Sequence, residues 1–166
     1  MSTHFSLDEF ESEVVRTLSE LSTKYGFAGP SVRRFGGNHA VVDYTRELVR
    51  ISTQLEFGEQ IFLEVWLLDE LGRRPSSKSA SHFQVDQLAK LRNPDWIVPN
   101  HTVATKRELR KTLASLHAAL VQFAPEVLTG DALQLASLRA VLGRLAPPAI
   151  EALFPHPAPG GARDDT

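Results

Sequence analysis

The stretch SVRRFGGNHAVVDY, residues 31–44, gathers side chains that could do chemistry. Arg33 and Arg34 stand beside Gly36-Gly37-Asn38 and His39, with Asp43 four residues further on. A glycine-rich loop flanked by arginines can hold an anion, and a histidine oriented by an aspartate can act as a base. An anion cradle needs a helix to start just after the glycines, so that free N–H groups face the ligand. The residues that follow, His39-Ala40-Val41-Val42-Asp43-Tyr44, favour a strand instead, and Gly and Asn are residues of tight hairpin turns. The stretch therefore reads as strand, turn, strand. In a strand His39 and Asp43 share a face but stand about 13 Å apart, too far for a direct bond. Arg33 and Arg34 project to opposite faces, and only one of them can join Arg50 on the polar face.

The remaining candidates assemble no reaction. The histidines are His4, His39, His82, His101, His117 and His156; no two have the i, i+4 spacing of a helical metal site, and no carboxylate completes a ligand set. His117 flanks a leucine stripe and reads as a half-buried helix residue. Asp69-Glu70 reads as turn polarity, and Ser76, Ser77, Ser79 and Ser81 lack a nucleophile elbow. There is no cysteine, which excludes disulfides, thiol catalysis and cysteine-held zinc. With no acid, base and nucleophile set, the chain is expected to be no enzyme and to need no cofactor or metal.

Charge is more informative. The 166 residues carry a net charge of −2, yet residues 73–111 hold nine bases against Asp86, Asp95 and Glu108. Lys106, Arg107 and Arg110 crowd the start of a helix, where positive charge opposes the helix dipole. That local cost marks them for something other than helix stability. Arg73, Arg74, Lys78, Lys106, Arg107 and Arg110 are accordingly the candidate partner-binding residues. The first expectation is an acidic protein partner; the second is nucleic acid or another anion. Phe62 and Trp66, which could stack on bases, are better explained as core.

The elements that must position these residues read as follows. Ser6-Leu7-Asp8-Glu9 is a capping box, and Leu7, Phe10, Val14, Leu18, Leu21 and Tyr25 form one apolar helical stripe that stops at Gly26. Strands are expected at 31–35, 39–44, 48–56 and 60–68, joined by short links that demand an antiparallel meander. Val49, Ile51, Thr53 and Leu55 alternate with Arg50, Ser52, Gln54 and Glu56, predicting one buried and one wet face. The 60–68 strand is apolar on both faces. Residues 70–82 read as a loop, 83–92 as a short helix, and 95–101 as irregular chain held by Trp96. A second capping box, Thr105 to Glu108, opens a helix to about Phe123. Pro125 to Gly130 reads as a turn. Asp131, boxed with Gln134, caps a last helix that Pro147-Pro148 ends. The fold class is α+β: a meander of about four strands with an N-terminal helix and two or three C-terminal helices. Residues 1–154 form a single domain and 155–166 a disordered tail. MSTHFSLDEFESE shows no signal-peptide pattern, and IFLEVWLL is short and carries Glu64, so a cytoplasmic protein with no membrane partner is expected.

The order of a capped helix ending in KYGF, the meander HAVVDYTRELVRISTQLEFGEQIFLEVWLL and a late LVQFAPEVLTGD resembles small uncharacterised bacterial proteins, some of them similar to immunity proteins of bacterial toxin systems. The matching pieces cover about half the chain and contain no catalytic residue. The resemblance implies an α+β interaction module, a protein-binding and immunity-like one. The near-neutral charge departs from the strongly acidic immunity proteins that oppose nucleases.

Overall fold

The computed structural model describes residues 5–69, 72–73 and 81–153, with residues 144–153 described by backbone alone. The fold is α+β. One antiparallel sheet contains β1 (Ala28–Arg34), β2 (Ala40–Arg46), β3 (Val49–Glu56), β4 (Gln60–Leu67) and β5 (His82–Gln84), side by side in sequence order. Two helices precede it, α1 (Leu7–Thr17) and α2 (Ser19–Thr23). After it come α3 (Val85–Arg92), α4 (Lys106–Phe123), α5 (Pro125–Thr129) and α6 (Ala132–Leu153).

Local chemistry explains the elements that match expectation. At the start of α1 the Glu9 N–H donates to Ser6 Oγ at 3.2 Å while the Ser6 N–H donates to Glu9 Oε2 at 2.9 Å. The Thr105–Glu108 box repeats this arrangement at α4. Arg34 lies opposite Ala40 and the Phe35 N–H donates to the His39 carbonyl at 2.9 Å, so Gly36-Gly37-Asn38 is a hairpin turn. Gly36 adopts φ +73°, which a side chain would resist. The inner sheet face buries Val42, Tyr44, Ile51, Leu55, Ile61, Leu63 and Val65 in one apolar cluster with Phe10 and Val14 of α1 and Leu109, Leu116 and Leu120 of α4.

Elsewhere tertiary packing overrides the local pattern. The first helix is interrupted at Leu18 rather than running to Tyr25, and both Leu18 and Leu21 are buried across the break. Phe83 belongs to a fifth strand, not to the helix expected over 83–92. Residues 82–84 pair with Glu64, Val65 and Trp66 and satisfy the backbone of β4, so the helix begins only at Val85. Residues 125–129 are a short helix, not a turn: Pro125 suits the first helical position, and Gly130 at φ +67° ends it. Asp131 Oδ1 accepts the Leu133 N–H at 2.8 Å, but Gln134 completes no box; its Oε1 accepts the Thr129 hydroxyl at 2.7 Å. The backbone of α6 stays helical past Pro147-Pro148, where a stop was expected, although each proline lacks an N–H donor and crowds the carbonyl four residues back. The alternation expected of β3 holds, with Val49, Ile51, Thr53 and Leu55 buried and Arg50, Gln54 and Glu56 half-exposed; Ser52 alone on that face is covered, at 1% exposed, because β3 is the central strand. The expected tail at 155–166 and most of the 70–82 loop lie outside the described residues.

Candidate functional site

Of the six bases singled out in sequence, two pair with the acids of α1. Lys106 Nζ lies 3.3 Å from Glu9 Oε1, and an Arg110 guanidinium nitrogen lies 2.8 Å from Glu13 Oε1. Glu13 is buried and also takes Arg16 at 2.7 Å. Arg110 first, then Arg16, hold the Glu13 carboxyl below its usual range, against the opposing push of desolvation. The positive charge that local rules disfavour at the start of α4 is thus matched by the acids of α1 across the helix pair. Arg107 is exposed and, among the described residues, pairs with no acid. Arg73 pairs with Asp69 at 3.4 Å in the turn after β4, whereas the chain leading into α4 bridges to Gln60 at the other end of that strand. Arg74 and Lys78 lie outside the described residues.

What borders the free side of α4 was not legible in sequence. Residues 97–103 run as irregular chain beside it, stitched to β4 by the Ile61 N–H to the His101 carbonyl at 2.9 Å and to the turn before β4 by the Val103 N–H to the Glu59 carbonyl at 2.8 Å. The Thr112 hydroxyl of α4 donates to the Asn100 carbonyl at 2.8 Å. Between segment and helix lies an open groove of about 480 Å³, lined by Ile97, Val98, Val103, Lys111, Thr112 and Ser115. Ile97 is 84% exposed, an unusual state for an isoleucine beside other apolar groups. Glu108 also lines the groove, but its carboxylate accepts the N–H groups of Ala104 and Thr105 at 2.8 and 3.0 Å, which hold its pKa low. Lys111 and Arg107 are one turn apart on one helix face. Among the described residues neither forms an ion pair. The groove therefore offers apolar side chains beside one uncommitted cation, Lys111, with the exposed Arg107 one turn earlier on α4 and outside the lining.

The loop is clipped by His101. Its Nδ1 faces the Ile61 carbonyl at 2.5 Å and its Nε2 faces Asp86 Oδ2 at 3.0 Å, so both ring nitrogens meet oxygen acceptors and the protonated ring satisfies both. Asp86 foremost, and then the Ile61 carbonyl, raise the His101 pKa, with burial opposing. Trp96 packs edge-on against Phe123, centroids 6.2 Å apart, anchoring the preceding turn as expected.

The outer sheet face carries a second polar set that sequence spacing concealed. Asp43 accepts Arg33 at 2.8 Å and the Ser52 hydroxyl at 2.5 Å. Glu64 accepts Gln54 at 2.5 Å and sits 3.3 Å from His82, whose ring lies 3.9 Å from Trp66. These partners come from different strands, so only the sheet register aligns them. Both carboxylates are engaged by partners, and Ser52 donates directly to Asp43 with no base between. The set braces the sheet rather than presenting a reactive group. Arg33 lies on this face and Arg34 on the other, where it pairs with Asp8 and Glu11. Among the described residues no group of three or more metal-ligating side chains converges, and no helix is long and apolar enough to cross a membrane. Comparison with protein-family models, curated proteins and solved structures returned no match.

Proposed function

We propose that this protein is a non-catalytic cytoplasmic protein-binding module that takes an acidic, apolar-tipped segment of its partner into the groove beside α4. The observation that carries the reading is that Lys111, which forms no ion pair among the described residues, lines the groove together with the exposed Ile97 and Val98, while the exposed Arg107 stands one turn earlier on α4. An apolar group in the groove would lose water contact, while a flanking carboxylate would reach the cations at the rim. Toxin binding in the manner of an immunity protein is the specific form that the sequence resemblance adds. The nucleic-acid alternative draws on the same segment, but the engagement of Lys106 and Arg110 with α1 leaves it fewer free cations and favours the protein reading.

The test uses synthetic peptides in which leucine or phenylalanine is flanked by glutamates, alongside mixed-sequence oligonucleotides, at two salt concentrations. The expected result is peptide binding that Arg107→Glu with Lys111→Glu weakens about tenfold or more, and that Ile97→Ser weakens without lowering the melting temperature. Oligonucleotide binding that falls steeply with salt would replace this reading with the polyanion one.

A further inference from the structure

The hairpin between β3 and β4 carries two anomalies in one residue. Phe57 has φ +54°, a left-handed backbone conformation that a bulky side chain adopts only at a cost, and it is 73% exposed. The turn is well made around it: the Glu59 N–H donates to the Glu56 carbonyl at 3.1 Å, and the Gly58 N–H to the Asn38 carbonyl at 2.7 Å. A strained aromatic ring held out in water on a braced turn is an outlier that points to a binding role. On either side stand Glu56 and Glu59, which, among the described residues, have no cation paired to their carboxylates. The tip therefore reads acid, aromatic, glycine, acid.

That is the chemistry the α4 groove selects. Resting on the groove reading above, we propose that the groove's occupant is the Glu56-Phe57-Gly58-Glu59 tip of a second copy of this chain. Phe57 would enter beside Ile97 and Val98, and its flanking carboxylates would meet Arg107 and Lys111. Tip and groove adjoin in each molecule, because the Val103 N–H bonds the Glu59 carbonyl and Gln60 bridges to Thr102. Two complementary features side by side suit a two-fold axis: tip enters groove on both sides at once, closing a dimer rather than an open filament.

Sedimentation equilibrium on the full chain tests this. The wild type is expected to dimerise with concentration. Phe57→Asn keeps a residue that tolerates the left-handed turn but removes the ring, so it should weaken dimerisation about tenfold or more while the diluted protein melts no lower. A charge swap gives the decisive arm. Glu56→Lys with Glu59→Lys in one sample, and Arg107→Glu with Lys111→Glu in another, should each be monomeric alone and form a mixed dimer when combined. A wild type that stays monomeric at about millimolar concentration, or a dimer indifferent to Phe57 and to the swap, overturns the proposal. If acidic peptides still bind in either case, only the identity of the occupant falls. If they do not, the groove reading falls with it.

Discussion

Single side chains carry the sharpest expectations. Phe57→Asn should raise the stability of the monomer by about 1 kcal/mol, the scale of the left-handed penalty for an ordinary residue, read from denaturant unfolding at low protein concentration. Trp66 is 7% exposed and stacks on His82, so Trp66→Ala should cost about 3 kcal/mol, and an unchanged denaturant midpoint would refute its packing role. His101 gives a pH signature. Its folded pKa lies above the unfolded value of about 6.5, so its contribution is complete below that value and is lost as pH rises through the raised folded one. The stability advantage of wild type over His101→Gln should therefore be largest in mild acid and shrink toward alkaline pH. His117 works in the opposite sense: burial first, against a smaller pull from Glu20, lowers its pKa, so its share is lost as pH falls below the unfolded value. An advantage that grew with pH would show that the Asp86–His101 contact does not form.

At the scale of elements, α4 separates two bases that its own sequence treats alike. Arg107 and Arg110 both sit in its first turns, where a helix prefers acids. Arg107 is exposed and, among the described residues, pairs with no acid, so Arg107→Glu should raise stability by about 0.3–1 kcal/mol. Arg110 donates to buried Glu13, so Arg110→Glu would set a carboxylate against Glu13 and lower stability. Thermal melts of the two single variants should move in opposite directions. Movement in the same direction would mean that the α1–α4 ion pairs contribute nothing. Local helix chemistry cannot distinguish the two positions, because the distinction comes from a neighbour 97 residues away in sequence.

For the whole molecule, the apolar cluster draws on α1, the sheet, α3, α4, α5 and the first turns of α6 without a break, so heat or denaturant should unfold the described part in one transition seen alike by far-ultraviolet dichroism and tryptophan fluorescence. Two separated transitions would divide that core. The α+β class, the capped starts of α1 and α4, the strands β2, β3 and β4 and the hairpin at Gly36-Gly37-Asn38 were legible in the residues, because periodicity, capping side chains and positive-φ turn residues act within a few positions along the chain, whereas β1, expected at 31–35, starts already at Ala28. The polar groups and the groove were not. Asp43 with Ser52, Glu64 with His82, and Asp86 with His101 meet only through strand register and the path of residues 97–103. The same holds for the basic segment. The sequence alone determined how many positive charges it holds, but the packing of α1 against α4 decided that Lys106 and Arg110 pair with Glu9 and Glu13, while Arg107 and Lys111 form no ion pair among the described residues. Ion pairing depends on distances of a few ångströms between chain segments far apart in sequence, and only the closed tertiary structure sets those distances.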